Sequence, residues 1–265
     1  MTDPADGGAP YIVTGTTARA TAHSAGPWHP GLQHGGAPSA LIVWAAERVA
    51  APVPMRVVRL SVELLRPVPV AELAMDVQVL RQGRKIQLVE VRLSHEGNEV
   101  ARGTVLKVRT ADLPLPEEAA LPPLGVPLPD EVAVQERQFG FGFAAGFELR
   151  GVGGKRRTGP ARVWFRRHAP IVEGEALSPA MRAAAVGDWS NGVANALPWD
   201  EWTFINADLT VSLAREPVGE WILSDAESWA SSDGTGLAMC RLADERGTFG
   251  RAIQSLVLEP RQPAT

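Results

Sequence analysis

The chain has 265 residues, 45% of them hydrophobic, which fits one large domain or two of ordinary size with a substantial core. A net charge of −4 with scattered basic residues gives no electrostatic case for nucleic acid or an anionic membrane, and no apolar run approaches the ~20 residues of a membrane span. The single cysteine, Cys240, excludes an internal disulfide and a cysteine-based metal cluster, and its setting in Gly236–Cys240 (GLAMC) reads as a buried, inert thiol.

Residues 1–10, MTDPADGGAP, read as an irregular start; no basic segment precedes an apolar one, so no signal peptide is expected and the expected compartment is a reducing cytoplasm. Tyr11–Thr21 alternates like a strand, and Gly26–Gly36 is a loop rich in Gly, Pro and His. Gly36–Ala51 is apolar nearly all round, the pattern of a long helix buried on most sides. Four β-type segments follow at Met55–Arg66, Glu72–Arg81, Lys85–His95 and Glu99–Thr110, separated by turns rich in Pro, Gly and Asn. Leu113–Pro129 (LPLPEEAALPPLGVPLP) breaks both periodicities, because its prolines lack the amide that a ladder or a helix interior needs; it reads as a stiff extended linker. Beyond it the order recurs, with strands expected at Gly140–Arg150 and Ala161–Arg167 and a helix at Ser178–Leu197. Four more strands are expected at Thr203–Arg215, Glu220–Ser231, Gly236–Ala243 and Thr248–Glu259. Lys155-Arg156-Arg157 and Arg166-Arg167 read as solvated loop or strand-end charges.

The recurrence is in residues as well as in order. Leu60–Val68 (LSVELLRPV) aligns with Leu209–Val218 (LTVSLAREPV), Arg92-Leu93 with Arg241-Leu242, and Ala101-Arg102 with Gly250-Arg251. The offset is 149 each time (209−60, 241−92, 251−102), with Glu216 as one compensated insertion. Two copies of one fold, at 1–112 and 136–265 and joined by a Pro-rich linker at 113–135, are the expected organisation.

No GxSxG elbow, HExxH pair or GxxxxGK[ST] loop is present, and His23, His29, His34, His95 and His168 show no metal-ligand spacing, so neither metal nor cofactor is expected. The chemistry centres on Asp188. In the helix Ser178–Leu197, Ser178 suits the N-cap and Pro179 the first helical position, and Met181, Ala184, Ala185, Gly192 and Asn195 share a face with Asp188 at its middle. A carboxylate on a small apolar face needs a partner or a job, unless it simply points to solvent. The repeat adds two amides: Asn206 stands where the offset places Val57, and Gln254 where it places Val105. A carboxylate can hold and deprotonate a water, and two amides can orient that water or bond an oxyanion. The alternative is two ordinary strand residues on the wet side of a sheet. Asn206 shares its face with Asp208, Thr210 and Ser212, which favours that alternative; Gln254 shares its own with Ala252 and Leu256, which does not. His34-Gly35-Gly36 either exposes helix-start amides suited to a thioester carbonyl or a phosphate, or forms a plain turn.

Strand, long helix and four strands, repeated through a linker, resemble the double-hotdog acyl-CoA thioesterases of the thioesterase II type over about Gln33–Gln254. His34-Gly35-Gly36 is similar to that family's Gly-Gly helix opening and Gly187-Asp188-Trp189 to its helical aspartate. Asp208, Arg215-x-Pro217 and Glu220-Trp221 are similar to the strand and turn that follow, and Ile253-Gln254 to the last strand. The resemblance implies an α+β double hotdog, with two antiparallel sheets each wrapped around a long central helix. It also implies hydrolysis of an acyl-CoA thioester by water that an Asp–Thr–Gln trio activates. Asp188 and Gln254 carry over as catalytic residues, and the family's threonine falls on Asn206, a departure that bears on rate and substrate range. His34, Gly35, Gly36 and Thr210 are the expected substrate-binding residues, with the Gly36 amide polarising the carbonyl. The expected partners are an acyl-CoA substrate and a second copy of the chain in a homodimer. Two rivals stand beside this reading: a non-catalytic acyl-CoA-binding hotdog protein, and a hotdog hydratase or dehydratase, whose aspartate pairs with a histidine about a helical turn on, where this chain has Val193.

Overall fold

The run GAPSALIVWAAE forms a helix, α1 (Gly36–Glu47), in which every residue from Gly36 to Ala46 is buried. It packs on β3 (Met55–Glu63), β5 (Ile86–His95) and β6 (Asn98–Arg109), next to β4 (Glu72–Gln82). The computed structural model describes residues 8–134, 140–153 and 158–261; Lys155-Arg156-Arg157 and most of the first ten residues lie outside them. Tyr11–Thr21 is a hairpin where one strand is expected. β1 (Tyr11–Thr14) and β2 (Thr17–Ala20) turn through Gly15, whose φ of +60° suits the first central position of a two-residue turn.

The second half begins with one helical turn, α2 (Gly142–Ala145), inside the segment Gly140–Arg150 that alternation marks as strand. Gly142 has a φ of +60°, and a Cβ there would lie 2.3 Å from the Ala25 carbonyl oxygen, so the chain folds against the first half before β7 (Phe147–Val152) starts. β8 (Ala161–Arg167), α3 (Pro179–Gly187), α4 (Ser190–Val193), β9 (Trp202–Asn206), β10 (Asp208–Leu213), β11 (Trp221–Ala230), β12 (Thr235–Asp244) and β13 (Gly247–Pro260) follow. The expected helix Ser178–Leu197 is therefore two. Ser178 does cap it, accepting from the Met181 amide at 3.1 Å, but at Gly187 the Ser190 hydroxyl takes the carbonyl at 2.8 Å and the Trp189 amide bonds back to Val186 at 3.0 Å.

Among the described residues thirteen strands form one antiparallel sheet, with β9 beside β13 and the rest in the order β1-β2-β4-β5-β6-β3-β10-β13-β12-β11-β8-β7. Outward from the central β3–β10 seam, repeat equivalents stand at equal distances: β6 and β13, then β5 and β12, then β4 and β11. At the seam Ser61 pairs with Thr210, its own equivalent at offset 149, and their hydroxyls meet at 3.3 Å. The sheet is large, antiparallel and covered by few helices. Among the described residues no helix is long and apolar enough to cross a membrane.

Thr203–Arg215 is also two strands. Asn206 pairs with Leu256 while Thr210 pairs with Ile253, so one extra residue lies between β9 and β10 opposite β13. That bulge inverts the alternation: Phe204 and Asn206 point inward before it, and Leu209, Val211 and Leu213 after it. Asn206 is thus removed from the wet face of Asp208, Thr210 and Ser212.

Arg215, in the turn after β10, holds the buried Asp244 through Nη1 at 2.5 Å and Nη2 at 2.7 Å, and the Val218 and Arg246 amides donate to the same carboxylate at 2.7 and 2.8 Å. Burial alone would raise Asp244, but the guanidinium and the two amides outweigh it and hold the carboxyl below its ordinary value. The contribution to stability is then full above about pH 4 and is lost as pH falls through the lowered folded-state value. Asp244→Asn is expected to cost about 1.5–3 kcal/mol at pH 7, and urea denaturation should show the gap to wild type closing on acidification. A gap independent of pH would contradict this account.

Candidate active site

Helix α1 starts where α3 ends, and two glycines allow the approach. A Cβ on Gly36 would lie 2.9 Å from both the Ala185 carbonyl oxygen and the Phe143 ring, and one on Gly35 would lie 2.8 Å from Asp188 Oδ1. The Asp188 carboxylate therefore rests on the bare Cα of Gly35. Asp188 is the C-cap of α3, the end of a helix that disfavours an anion, but it faces the start of α1, the end that favours one. The residue is 3% exposed.

Two amide N–H donors and an imidazole nitrogen, from three segments, reach its oxygens. Asn206 Nδ2 donates to Oδ1 at 2.9 Å and Gln254 Nε2 to the same oxygen at 3.0 Å. His34 Nδ1 lies 2.8 Å from Oδ2. Asp188, Asn206 and Gln254 are thus brought together as expected from the sequence, with the bulge aiming Asn206 and β13 carrying Gln254. Gln254 is fully buried behind the carboxylate: its Nε2 also donates to the Asp188 carbonyl oxygen at 3.2 Å, and its Oε1 accepts from the Asn191 amide at 3.4 Å. Its contact is with the acid, and it lies outside the cavity lining.

His34 does more than open the helix. Its ring lies between Phe143 (centroids 5.0 Å) and Trp189 (4.8 Å), which fixes the imidazole against the Asp188 carboxylate. Sequence spacing could not show this pair, because the histidine and the acid come from different halves. The Gly36 amide donates to His34 Nδ1 at 3.1 Å and is absent from the cavity wall, which Gly35 does line. Thr210 sits at the β3–β10 seam against Ser61, also off that wall. Two of the four expected substrate-binding residues, His34 and Gly35, therefore face the cavity.

That cavity encloses about 300 Å³ and is mostly apolar, with Asp188, Asn206, His34 and Gly35 on one side and Trp28, Trp199 and Phe204 among its other walls. Alternation marks none of these three aromatics as site residues, since two lie in loops. Among the described residues no group of three His, Cys, Asp or Glu could hold a metal ion.

The large antiparallel sheet and its few helices are a hotdog fold, shared with a conserved protein of unknown function from Alicyclobacillus acidocaldarius at 16% identity (TM-score 0.75, all of both chains covered). Residues 24–108 match the acyl-CoA thioesterase N-terminal domain and residues 118–258 the acyl-CoA thioesterase C-terminal domain, so the chain belongs to that family. It is also similar to a structure described as a thioesterase from Novosphingobium aromaticivorans (24% identity, TM-score 0.70, covering 94% of this chain and 98% of that one). A third likeness is to acyl-CoA thioesterase II from Mycobacterium marinum (19% identity, TM-score 0.67, covering 87% and 90%). No curated protein matches the chain.

Gly35→Ala should drive its methyl into the carboxylate and displace Asp188 from its donors. The expected outcome is a loss of thioester turnover of at least about tenfold, with a melting temperature near wild type; full turnover in a folded variant would show that the close approach is dispensable.

Proposed function

We propose that the cavity beside Asp188 receives the thioester of an acyl-CoA and that Asp188 directs a water at its carbonyl carbon. The observation that carries this reading is the buried carboxylate held by two amide N–H donors, with His34 Nδ1 2.8 Å from its other oxygen, at the wall of an apolar cavity. A carboxylate offers about four lone-pair sites. Asn206 and Gln254 fill those of Oδ1 and His34 one of Oδ2, which leaves one on Oδ2 for a water. The water oxygen attacks the carbonyl carbon while its proton passes to Asp188 Oδ2. The oxyanion so formed takes a hydrogen bond from the Gly35 amide at the start of α1. Collapse breaks the C–S bond, and Asp188 returns the proton to the departing sulfur, giving free acid and CoA thiol.

Asn206 in the place of the family's threonine still presents a donor to the acid, which supports a working site over a non-catalytic binder. The hydratase reading gains the histidine it lacked, since His34 comes from the other half, but the family match favours thioester hydrolysis. The same proposal takes the architecture as two hotdog units, 1–112 and 136–265, linked through 113–135, each sheet wrapped on its helix and the two joined at the β3–β10 seam. The order of strands about that seam supports it. A cytoplasmic homodimer completes the proposal.

With an acyl-CoA panel and a thiol reagent, Asp188→Asn is expected to lower kcat by about 10²–10⁴. His34→Ala is expected to lower it by about tenfold or more through the loss of the contact on Oδ2. Asp188→Ala turning over as fast as wild type would refute the site, and hydration of an enoyl-CoA without hydrolysis would favour the rival chemistry.

A further inference from the structure

The cavity has a wet end and a dry end. Its rim includes Leu65, Phe141, Ile205 and Val257, all exposed, beside Arg66 and His29. Its floor includes Ala25, Val68, Trp189 and Phe204, all buried. The phosphates of CoA must keep their water or meet cations, so the headgroup leaves over the rim and the acyl group lies toward the floor. Phe204 closes that floor. Its ring stands edge-on to Trp28 (5.2 Å, 86°) and to Trp199 (5.1 Å, 74°), and those two stack on each other at 4.2 Å, tying a loop of the first half to a loop of the second.

Behind Phe204 is a second cavity, of about 10 Å³, walled by Phe204, Asn191, Leu197, Trp229, Leu256 and Leu258 among others. Phe204 and Asn191 line both spaces, so these two residues stand between them. The Asn191 side chain is fixed by the Phe204 carbonyl oxygen, which accepts from Nδ2 at 3.1 Å, a backbone contact that truncating the ring leaves in place.

We propose that Phe204, buttressed by Trp28 and Trp199, is the end wall of the acyl site and limits the enzyme to compact acyl groups. The main cavity of about 300 Å³ holds roughly ten water-sized groups at about 30 Å³ each, part of them taken by the thioester and the first atoms of pantetheine, which leaves room for acyl groups of about four to eight carbons. Longer chains meet the Phe204 ring. Removing its six ring carbons joins the two cavities and opens the path toward Leu256 and Leu258. The inference rests on the reading of the cavity as an acyl-CoA site.

The test is kcat/KM of the full chain for butyryl-, hexanoyl-, octanoyl-, dodecanoyl- and palmitoyl-CoA. Wild type is expected to peak between four and eight carbons and to fall at least tenfold by dodecanoyl. In Phe204→Ala the ratio of dodecanoyl to hexanoyl should rise about tenfold or more, and the milder Trp28→Leu, which loosens the buttress, should move it the same way by a few fold. Equal rates on palmitoyl- and hexanoyl-CoA in wild type, or an unchanged ratio in both folded variants, would overturn the end wall while leaving the hydrolase intact. No hydrolysis of any member of the panel by wild type would instead overturn the reading of the site on which it rests.

Discussion

Everything at the site depends on the distance between one carboxylate and one α-carbon. Asp188 closes α3 and Gly35 opens α1, and the space between them admits no methyl group. A buried carboxylate is costly unless its charge is met by donors and by a favourable field. Here the field comes from the start of α1, the donors come from two strands of the second half, and His34 of the loop before α1 lies against the other oxygen. Neither half could build this arrangement alone: the acid and both amides belong to one, and the histidine, the glycine and the helix start to the other. The β3–β10 seam, where Ser61 meets Thr210, fixes the two halves in the register that brings these groups together.

The fold was largely legible because its cues are local or periodic. Apolarity on all sides marked α1, alternation with turn residues marked β3 to β6 and β11 to β13, and the constant offset of 149 announced equivalent segments. The departures have local causes as well. Gly15 permits a hairpin where alternation alone reads one strand, and Gly142 permits a helical turn because its positive φ seats the chain on Ala25. The break at Asp188 arises from Ser190 drawing off the Gly187 carbonyl, a competition between side chain and backbone that helical periodicity does not encode.

The site was legible in part, and the division is physical. Asp188 and Gln254 stand out because a polar group interrupts an apolar pattern. Asn206 was ambiguous for a definite reason: period-two alternation groups it with Asp208, Thr210 and Ser212, and a one-residue bulge cancels that grouping. The outcome of a bulge depends on pairing with β13 some fifty residues away, so the sequence around Asn206 carries no sign of it. The His34–Asp188 contact is hidden for a similar reason, since 154 residues separate the two (188−34) and no spacing rule applies.

On the proposed two-unit architecture, catalysis would settle in one place. The exchange of halves that relates Ser61 to Thr210 sends the end of α3 to the end of α1 and the start of α1 to the start of α3. At that related position Glu47, near the end of α1, is hydrogen-bonded to Ser178, the N-cap of α3, so a side chain occupies the point where Gly35 has none. Neighbouring atoms partly desolvate the exposed Glu47 carboxyl and raise it, and the Ser178 hydroxyl and Lys107 only partly offset this. The strand positions that would supply amides are Val57 and Val105, both buried in the core, so no donor equivalent to Asn206 or Gln254 faces the acid. That carboxylate is solvent-exposed, with the Ser178 hydroxyl and the Lys107 charge near it, where Asp188 is buried and held by two amide donors. Divergence of a few residues, glycine against serine and amide against valine, is enough to bury and hold a carboxylate at one helix junction and to leave the one at the other exposed.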